Sequence, residues 1–475
     1  MKPLAVIILA AGQGTRMRSK LVKVLHLVGG RPMILYAIEL AQSVAKVGKG
    51  NIALITGHQA EKLKDVIAEY DVVPVVQTRR LGTGHAVAQA QPVFQAGEEW
   101  RKRRFLILSG DTPLLTQSTL RRMLAYHDAE RATVTVLTAH LQRPNGYGRI
   151  VRGRDGYIWR IMEDKDATPA ERRISEINAG TYVVEGDFLF PALNQLKPGN
   201  VQKEYYLTDI VSVAVGRGKR VAAYPADDAV EALGINTRSE LAEAERLMRG
   251  RIRDRLMAAG VTFLAPETSI VDAEVRIGRD TVIHPHTTLE GRTTIGEDCV
   301  IRSHSRIAES VLRGGVTVLD SCVIEGTRLE EGCVVGPFAR LRPGTIIRRA
   351  ARVGNFVELK KTELGVGAKA NHLSYLGDAR IGKRVNIGAG TITCNYDGMN
   401  KHETVVGDDV FIGSDVSLVA PVRIGRAAII GAGSVVTEDV PPEALALGRA
   451  RQVLKPGGAR IWRQKIGEKS SRGKH

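Results

Sequence analysis

The sequence predicts two folds in one chain: an α/β domain of the Rossmann type over residues 1–236 and a parallel β-helix over 261–450. Three observations carry this prediction. Short apolar runs alternate with helical patterns in the first part, and an aliphatic residue recurs at every sixth position in the second. Between them, residues 237–260 combine a helix-capping sequence with an apolar stripe, which predicts a long connecting helix. The remaining residues, 451–475, form a basic C-terminal tail.

A repeat of six residues fits neither an α-helix nor a single strand, so it indicates a coil that returns on itself. Three hexapeptides make one triangular turn, in which each aliphatic side chain points into the prism and glycine or small residues turn the corners. The aliphatic positions form three unbroken runs: Ile277, Ile283, Leu289, Ile295, Ile301 and Ile307; Leu329, Val335, Leu341, Ile347, Val353 and Leu359; and Val406, Ile412, Leu418, Ile424, Ile430 and Val436.

The phase of this repeat slips three times, after Ile307, after Leu359 and after Ile387. Because an irregularity costs packing, each slip is expected to be a surface loop, and such loops often carry function. The last two slips contain the most unusual polar sequences of the domain, NHLSY at 371–375 and TCNYDG at 393–398.

In the first domain, strands are predicted at about 4–9, 51–56, 105–109 and 132–139, and helices at about 32–47, 59–68, 84–92 and 117–127. Pro32 is expected to open the first helix, since proline suits a first helical turn. We interpret the N-terminal apolar run as a buried strand rather than a signal peptide, because only Lys2 precedes it and a glycine loop follows directly. Strand–helix alternation implies a mostly parallel sheet with ligands at the carboxyl ends of its strands.

The composition of the 475-residue chain, 43% hydrophobic and 25% charged, is that of a soluble globular protein, and no apolar run reaches membrane-spanning length. The four cysteines are widely spaced without a CxxC pair, which argues against a disulfide framework or zinc site and fits a reducing, cytoplasmic location. Of the net charge of +17, the segment from Arg449 onward contributes +8. It lacks interleaved aromatics and a recognition motif, so we expect a solvated or disordered tail and no nucleic-acid binding.

The first strand ends in LAAGQGTR, residues 9–16, and Lys23 follows seven residues later. Glycines let backbone N–H groups approach phosphate oxygens, and Arg16 adds a charged fork. Met17 stands where a dinucleotide fingerprint has its third glycine. The segment instead resembles the signature of sugar-1-phosphate nucleotidyltransferases, which join a nucleoside triphosphate to a sugar phosphate and release pyrophosphate. One departure is Val22, where the family usually has proline, so a slightly more flexible loop is expected.

This resemblance extends over the whole domain. The elements Gln77 with LGTGH (81–85) resemble the uracil-recognition elements, and GYGR (146–149), Glu163 and Asn178 resemble the sugar-binding positions. The resemblance implies a UTP and UDP-sugar site made of Leu9, Ala10, Ala11, Gly12, Lys23, Gln77, Gly82, Thr83, Ser109, Gly110, Asp111, Gly148, Glu163, Asn178 and Asn236.

Two residues of this set are expected to hold Mg²⁺. Asp111 follows an apolar strand, where a carboxylate suits the metal, and GIN at 234–236 supplies Asn236 as the second ligand. The alternative role for Asp111 is a helix N-cap, which the glycine loop and Asn236 outweigh. Arg16 and Lys23 are expected to neutralise charge on the departing pyrophosphate. Glu163 lies among charged neighbours, and its alternative is plain solvated surface.

In the repeat domain, VGNFVELKK (353–361) and GAGTITCNYDG (388–398) are highly specific. With the first domain they resemble the family of bifunctional N-acetylglucosamine-1-phosphate uridyltransferase/glucosamine-1-phosphate acetyltransferase enzymes, over about residues 4–450. The resemblance implies a left-handed β-helix that transfers acetyl from acetyl-CoA to glucosamine 1-phosphate, with His372 as the base, for which histidine suits neutral pH. His284, His286 and His304 lie in regular coils and are interpreted as structural.

The same resemblance implies the ligand-binding residues of the repeat domain. Glucosamine 1-phosphate would be bound by Arg342, Lys360, Tyr375, Asn386 and Asn395. The coenzyme would contact Ala389, Asn395, Tyr396, Ser414, Ala432 and Arg449. For Ala389 and Ala432 the alternative is a small corner residue that the coil itself requires.

The resemblance further implies a cytoplasmic homotrimer with small-molecule substrates and no membrane insertion, which supplies UDP-N-acetylglucosamine for bacterial envelope synthesis, including peptidoglycan and lipopolysaccharide. Two alternatives stay open. One is a monofunctional sugar-1-phosphate nucleotidyltransferase whose β-helix is structural, and the other is a non-catalytic interaction subunit with the same two folds.

Overall fold

The computed structural model describes residues 2–44, 50–57, 60–95 and 99–472. The chain divides into two compact units, Met1–Asp254 and Arg255–His475, and the division falls inside a helix that covers Arg238–Ala258. The finer division into 1–236, 237–260, 261–450 and 451–475 stays a prediction.

The strands of the first unit are β1 Leu4–Ala10, β2 Leu27–Val28, β3 Arg31–Pro32, β4 Ile52–Thr56, β5 Val73–Val76, β6 Arg104–Ser109, β7 Val134–His140, β8 Arg149–Arg152, β9 Ile158–Met162, β10 Glu176–Glu185 and β11 Val221–Pro225. Apart from the separate pair β2–β3, they form one nine-stranded sheet in the order β11-β7-β10-β6-β1-β4-β5, with β8 pairing β10 and β9. Of the pairs along this order, only those made by β10 are antiparallel. The central strands are apolar throughout because helices cover both faces of the sheet.

The two faces of the sheet are covered by helices α1 Met33–Val44, α2 Glu61–Ile67, α3 Thr83–Ala88, α4 Gln91–Phe94, α5 Gln117–Ala129, α6 Gly186–Leu193 and α7 Asp209–Gly216. Helix α8, Arg238–Ala258, begins in this unit and continues into the second.

The four predicted strands are β1, β4, β6 and β7, and the predicted parallel sheet is confirmed. The expectation for Pro32 is wrong, since this residue belongs to the short antiparallel pair β2–β3 and α1 begins at Met33. The single helix predicted over 84–92 is divided into α3 and α4, because Pro92 has no N–H to continue the ladder and lies in the first turn of α4. Positions 45–47 and 59 of the predicted helices lie outside the described residues.

The second unit is a left-handed parallel β-helix with three sheets, as predicted. Every aliphatic side chain of the three predicted runs is buried inside the prism. Sheet 1 contains Thr262–Phe263, Val282–Ile283, Val300–Ile301, Thr317–Val318, Val334–Val335, Arg352–Asn355, Lys369–His372, Asn386–Ile387, Phe411–Ile412, Ile429–Ile430 and Leu445–Ala446. Sheet 2 contains Ile270–Val271, Thr288–Glu290, Arg306–Ala308, Val323–Glu325, Arg340–Leu341, Glu358–Lys360, Tyr375–Gly377, Ile392–Cys394, Ser417–Val419 and Val435–Val436. Sheet 3 contains Arg276–Ile277, Thr294–Ile295, Val311–Leu312, Arg328–Leu329, Ile346–Ile347, Glu363–Leu364, Ala379–Ile381, Thr404–Val406 and Val422–Ile424.

The three slips of the repeat all fall at the corner between sheets 2 and 3, but only the third is a loop. The first two slips are absorbed by prism sides that are one residue shorter, so the prediction of a surface loop is wrong for both. Like most regular corners, each shortened corner has one residue with a left-handed backbone: Glu309, Gly326, Lys361 and Asp378, with φ between 47° and 55°. The third slip is an inserted loop between Cys394 and Thr404, closed by a bridge between Tyr396 and Lys401.

The predicted connecting helix is α8, and its predicted cap is confirmed. The Glu240 N–H donates to Thr237 Oγ1 at 3.2 Å, and the Thr237 N–H donates to Glu240 Oε2 at 2.8 Å. On the apolar stripe, Met248, Ile252 and Leu256 are buried.

The C-terminal tail is exposed along residues 449–457, so it is solvated as expected. It is not without structure, however, because helix α9 covers Gly458–Arg472. In the described part of the chain, no helix is both long and apolar enough to cross a membrane. All four cysteines are free thiols.

Candidate active sites

A cleft of about 430 Å³ opens where β1 and β6 end, at the edge of the sheet that the topology predicts for ligands. The predicted nucleotide residues that line it come from four stretches far apart in sequence, 9–23, 77–83, 109–111 and 236. They are Leu9, Ala10, Ala11, Gly12, Arg16, Lys23, Gln77, Gly82, Thr83, Ser109, Asp111 and Asn236.

At the floor of this cleft, the ammonium of Lys23 lies between the two predicted metal ligands. It forms an ion pair with the Asp111 carboxylate and donates a hydrogen bond to Asn236 Oδ1 at 3.1 Å. Ser109 Oγ donates to the other carboxylate oxygen of Asp111 at 2.7 Å. Burial alone would raise the pKa of Asp111, but Lys23 and the Ser109 hydroxyl outweigh it, so the pKa lies below its ordinary value.

This donor set fits a divalent cation. Asp111 and Asn236 supply one carboxylate and one amide oxygen, which are hard ligands, and Mg²⁺ usually takes its remaining ligands from substrate phosphates and water. The Lys23 ammonium satisfies the same two oxygens with a positive charge. Among the described residues there is no cluster of three or more His, Cys, Asp or Glu that could hold a metal alone. The N-cap of α5 is Thr116, so Asp111 does not have the alternative capping role.

The helix cap also fixes Asn236, a contact that sequence analysis missed. Glu240 Oε2 accepts a hydrogen bond from the Asn236 N–H at 2.7 Å as well as from Thr237. The capping sequence was visible, but its link to the predicted metal ligand depends on α8 beginning directly beside the cleft.

Gln77 is buried next to the start of α3. Its Nε2 donates to the Gly82 carbonyl at 3.2 Å and lies 2.9 Å from His85 Nδ1. Burial lowers the pKa of His85, so the neutral ring is favoured. With its amide nitrogen occupied, Gln77 presents its amide oxygen as the acceptor.

A second group of predicted residues lies where β8, β9 and β10 meet. Both Glu163 Oε2 and the Asn178 Cβ would lie within 4 Å of a Cβ atom at position 148, where the glycine has none. Glu163 accepts a hydrogen bond from Thr208 Oγ1 at 3.0 Å, and Asn178 Nδ2 donates to the Tyr182 hydroxyl at 2.7 Å. Burial is the largest cause that raises the pKa of Glu163, and nearby aspartates add to it. Glu163 is therefore not plain solvated surface.

Thr208 and Tyr182 carry no motif, so nothing in the sequence could have selected them. Arg149, which follows Gly148 in the GYGR motif, is fully buried and pairs with Asp164 at 3.0 Å. Its role is therefore to hold the strand rather than to reach a ligand.

In the β-helix, the corner between sheets 1 and 2 places one polar or small residue from each coil in a single column. Each member stands two positions after an inward residue of sheet 1, and the sheet register stacks them directly. The column is Asn355, His372, Ala389, Ser414 and Ala432. Four of these five residues were predicted as catalytic or coenzyme-binding, and Asn355 was not.

His372 is exposed at this corner and is oriented by Asn355. Its Nδ1 lies 2.8 Å from Asn355 Oδ1. An amide oxygen can only accept, so Nδ1 carries the proton and Nε2 is left with a free lone pair. The histidine is thereby held in the tautomer that a general base requires.

The corner between sheets 2 and 3 gathers most of the residues predicted to bind the sugar phosphate. Lys360 Nζ lies 3.5 Å from Asp378 Oδ2, and Asn395 Nδ2 donates to the same oxygen. Tyr375 reaches over Gly377 with its hydroxyl group next to the Asn395 amide. Asp378, which sequence analysis missed, is the common partner.

The remaining predicted residues are more widely placed. Arg342 lies on sheet 2 and donates to Glu358 at 3.0 Å, whereas Asn386 lies on sheet 1. Within one chain, the predicted sugar-phosphate residues therefore occupy two faces of the prism. Arg449 reaches back to the column and donates to the Ala432 carbonyl at 2.8 Å.

The inserted loop carries Tyr396, which is 59% exposed, and a small polar network. Asp397 accepts from the Asn400 and Met399 N–H groups and from His402 Nε2 at 2.7 Å, which lowers the pKa of Asp397. These contacts are internal to the loop and hold its shape, and the Tyr396 hydroxyl also donates to the Gly398 carbonyl.

Two catalytic capacities follow from this geometry: a phosphate-binding cleft with paired metal donors, and an oriented base on a β-helix. Comparison with known families agrees with both folds. Residues 5–235 match the model of the nucleotidyl transferase family, and residues 274–309 and 403–438 match that of the bacterial transferase hexapeptide. The molecule is thus a nucleotidyl transferase joined to a hexapeptide-repeat transferase.

Similar full-length proteins carry the name bifunctional protein GlmU. The chain is 51% identical to that of Geotalea uraniireducens over 458 residues, which are 96% of this chain and 99% of the relative. It is 49% identical to that of an Exiguobacterium species, covering 95% and 98%, and 48% identical to that of Trichlorobacter lovleyi, covering 95% and 97%. The chain belongs to the GlmU family of bifunctional proteins, which confirms the resemblance drawn from its motifs.

Proposed function

We propose that the chain makes UDP-N-acetylglucosamine in two steps, acetylation of glucosamine 1-phosphate in the β-helix and uridylyl transfer in the α/β domain. The observation that carries this proposal is the occurrence of both predicted sites in one chain of this family, each with its charged or basic group held by a specific partner.

In the first step, the amine nitrogen of glucosamine 1-phosphate attacks the thioester carbonyl of acetyl-CoA. A C–N bond forms, the C–S bond breaks, and the coenzyme leaves as its thiol. His372 Nε2 takes the proton from the amine, because Asn355 keeps Nδ1 protonated and Nε2 free. Lys360 and Arg342 supply positive charge for the sugar phosphate, with Tyr375, Asn386 and Asn395 as further contacts.

The coenzyme is assigned to the column that continues from His372. Ala389 and Ala432 are small corner residues there, and Ser414 is exposed between them. Their size leaves the corner open, which suits a long flexible ligand lying along the prism. Arg449 lies beside this path, since it donates to the Ala432 carbonyl, and Tyr396 is assigned to the coenzyme from the loop between sheets 2 and 3.

In the second step, a phosphate oxygen of N-acetylglucosamine 1-phosphate attacks the α-phosphorus of UTP and pyrophosphate leaves. Arg16 and Lys23 neutralise the charge of the phosphates, and the glycine loop brings backbone N–H groups to them. Gln77 accepts a hydrogen bond from the uracil edge with its amide oxygen. Glu163 accepts hydrogen bonds from the sugar hydroxyls, and Asn178 donates hydrogen bonds to the sugar. Magnesium, held by Asp111 and Asn236, would supply further charge neutralisation.

A homotrimer, located in the cytoplasm, completes this proposal. The outward residues of sheet 1 in the last coils are exposed and apolar, namely Phe411, Ile429 and Leu445. Such a face favours packing on another copy, which also explains why Asn386 lies on sheet 1 while the other sugar-phosphate residues lie on sheet 2. Light scattering coupled to size-exclusion chromatography would test the proposed homotrimer, and a monomer at micromolar concentration would contradict it.

The two activities are tested by mass analysis of the products from glucosamine 1-phosphate, acetyl-CoA, UTP and Mg²⁺, with each component omitted in turn. We expect UDP-N-acetylglucosamine only from the complete mixture and N-acetylglucosamine 1-phosphate when UTP is left out. Uridylyl transfer to supplied N-acetylglucosamine 1-phosphate, without any acetyl transfer in the first mixture, would favour the monofunctional alternative. The absence of both activities would favour a non-catalytic subunit.

A further inference from the structure

A second cavity, of about 540 Å³, shares the glycine loop with the nucleotide cleft. Both are lined by residues 10–15 and by Arg80, but the second cavity continues along residues 18–22 to Gly57 and Leu63. Its charge differs from that of the cleft. Arg18, Lys20 and Arg80 line it, and its described lining residues include no carboxylate, whereas the cleft contains Asp111 and Glu204.

The three cations of this cavity have no acidic partner among the described residues, since no ion pair involves any of them. A fourth cation stands close by, because Lys62 Nζ donates to the Lys20 carbonyl at 3.4 Å. Unpaired positive charges that converge on a cavity favour an anionic ligand.

Arg18 lines the cavity although its backbone is left-handed. Arg18 has φ 47° and ψ 49°, and its N–H donates to the Thr15 carbonyl at 3.1 Å. A long side chain is disfavoured in this left-handed conformation, which glycine or asparagine adopts more easily. The turn itself therefore does not require an arginine at this position.

The sheet order shows on which side of the glycine loop the cavity lies. The glycine loop follows β1, the sugar residues lie on the side of β10, and Gly57 and Leu63 lie on the other side, after β4 and on α2. In-line displacement at phosphorus requires the attacking and leaving oxygens to lie on opposite sides of the α-phosphate. With the sugar phosphate on the β10 side, the leaving group departs towards the β4 side.

We propose that this second cavity receives inorganic pyrophosphate as it leaves, bound by Arg18, Lys20 and Arg80. The inference rests on the proposed uridylyl transfer. In that step, the bond between the α-phosphorus and its bridging oxygen breaks, the electron pair stays with pyrophosphate, and the sugar phosphate oxygen forms the new bond. The cavity cations then stabilise the charge that pyrophosphate carries away.

The test is calorimetric titration of the full-length chain with inorganic pyrophosphate. Arg18→Asn keeps a residue that tolerates the left-handed backbone, and Lys20→Gln keeps the length of the side chain while removing its charge. We expect the double variant to bind pyrophosphate at least about tenfold more weakly than the unmodified chain. Product inhibition of uridylyl transfer by pyrophosphate should weaken by a similar factor, with the KM for N-acetylglucosamine 1-phosphate unchanged within about twofold.

Lys64→Gln is the matched control, since Lys64 lies on α2 but pairs with Glu61 and does not line the cavity. Unchanged pyrophosphate affinity in the double variant, or an equal loss in the control, would overturn the proposal. Thermal unfolding curves show whether the variants are folded. Because pyrophosphate alone is the probe, the cavity is tested even if uridylyl transfer is missing, and normal transfer with unchanged pyrophosphate binding rejects the cavity only.

Discussion

The imidazole Nδ1 of His372 and the amide Oδ1 of Asn355 lie 2.8 Å apart, although the two residues belong to successive coils of the β-helix. The parallel register of sheet 1 pairs them directly, so the contact is built into the repeat rather than into a flexible loop. Asn355 is therefore a positioning residue for the proposed base.

Asn355→Ala should lower kcat for acetyl transfer about tenfold with a smaller effect on KM, because the ring loses the acceptor that fixes its tautomer. Asn355→Asp should recover much of the rate, since a carboxylate also accepts from Nδ1–H. Uridylyl transfer, measured separately, should not change. Equal rates for Ala and Asp variants would show that the acceptor is irrelevant.

His372→Ala should reduce acetyl transfer by about 10²- to 10⁴-fold, the range expected for loss of a general base. Transfer of uridylyl to supplied N-acetylglucosamine 1-phosphate should persist, because the two sites belong to separate compact units. A thiol-release assay measures the first activity and pyrophosphate release the second. Retained acetylation would remove the proposed role of His372.

Asp111→Ala should abolish uridylyl transfer and spare acetyl transfer. The substitution removes one of the two oxygen donors proposed for Mg²⁺ and leaves the Lys23 ammonium without its ion-pair partner. Lys23 still has Asn236 Oδ1, so the domain should remain folded. A normal uridylyl rate would contradict the metal assignment.

The same ion pair predicts an acid-dependent stability. The folded state holds the pKa of Asp111 below its ordinary value, so the stabilising contribution is complete above the unfolded pKa, about 3.9, and is lost as pH falls through the folded value. The difference in unfolding free energy between the unmodified chain and Asp111→Asn should therefore shrink below about pH 4. Urea titrations across pH 3–7 measure it, and a difference that grows in acid would contradict the sign.

The coils were predicted well from the sequence, because each coil requires an inward aliphatic side chain at every sixth position and this period is visible in the sequence. The slips were predicted poorly. A one-residue deletion at a corner and a surface insertion both break the period, and only the structure distinguishes the shortened corner between Leu359 and Leu364 from the loop after Cys394. Asn355 and Asp378 were missed for a related reason, since each meets its partner one coil away, at a separation of 17 residues. Aligning the sequence coil by coil would have placed Asn355 beside His372.

In the α/β domain, the motifs located the cleft but not the contacts within it. The LAAGQGTR loop and the strand ending at Ser109 predict an anion site and a carboxylate. That Lys23 would lie between Asp111 and Asn236 depends on three segments meeting in space. Thr208, which holds Glu163, is an ordinary threonine in sequence.

Glu163→Gln should stabilise the α/β domain and weaken sugar binding together. Burial raises the pKa of Glu163, so the folded state disfavours its ionised form, and this cost is present at neutral pH and disappears as the group is protonated in acid. Removing the charge should increase the unfolding free energy by about 1 kcal/mol at pH 7. The KM for N-acetylglucosamine 1-phosphate should rise, since a carboxylate accepts from sugar hydroxyls more strongly than an amide. A less stable variant at pH 7 would contradict the assigned cost of burial.

Gly354 and Gly314 form a matched pair for testing how tightly the coils stack. A Cβ on Gly354 would lie 1.9 Å from the Asn371 carbonyl oxygen, whereas one on Gly314 would lie 3.4 Å from its nearest neighbour, the Glu297 carbonyl oxygen. Gly354→Ala should therefore cost about 3 kcal/mol through overpacking, and Gly314→Ala should be neutral or slightly stabilising. Because the chain has two compact units, the unfolding of the β-helix should be measured as the urea concentration at which acetyl transfer is half lost. Uridylyl transfer at the same urea concentrations is the internal control. The displaced Asn371 precedes His372, so Gly354→Ala should also lower acetyl transfer before unfolding begins. If both variants unfold at the same urea concentration, the close contact with the Asn371 carbonyl does not restrict the size of the residue at position 354.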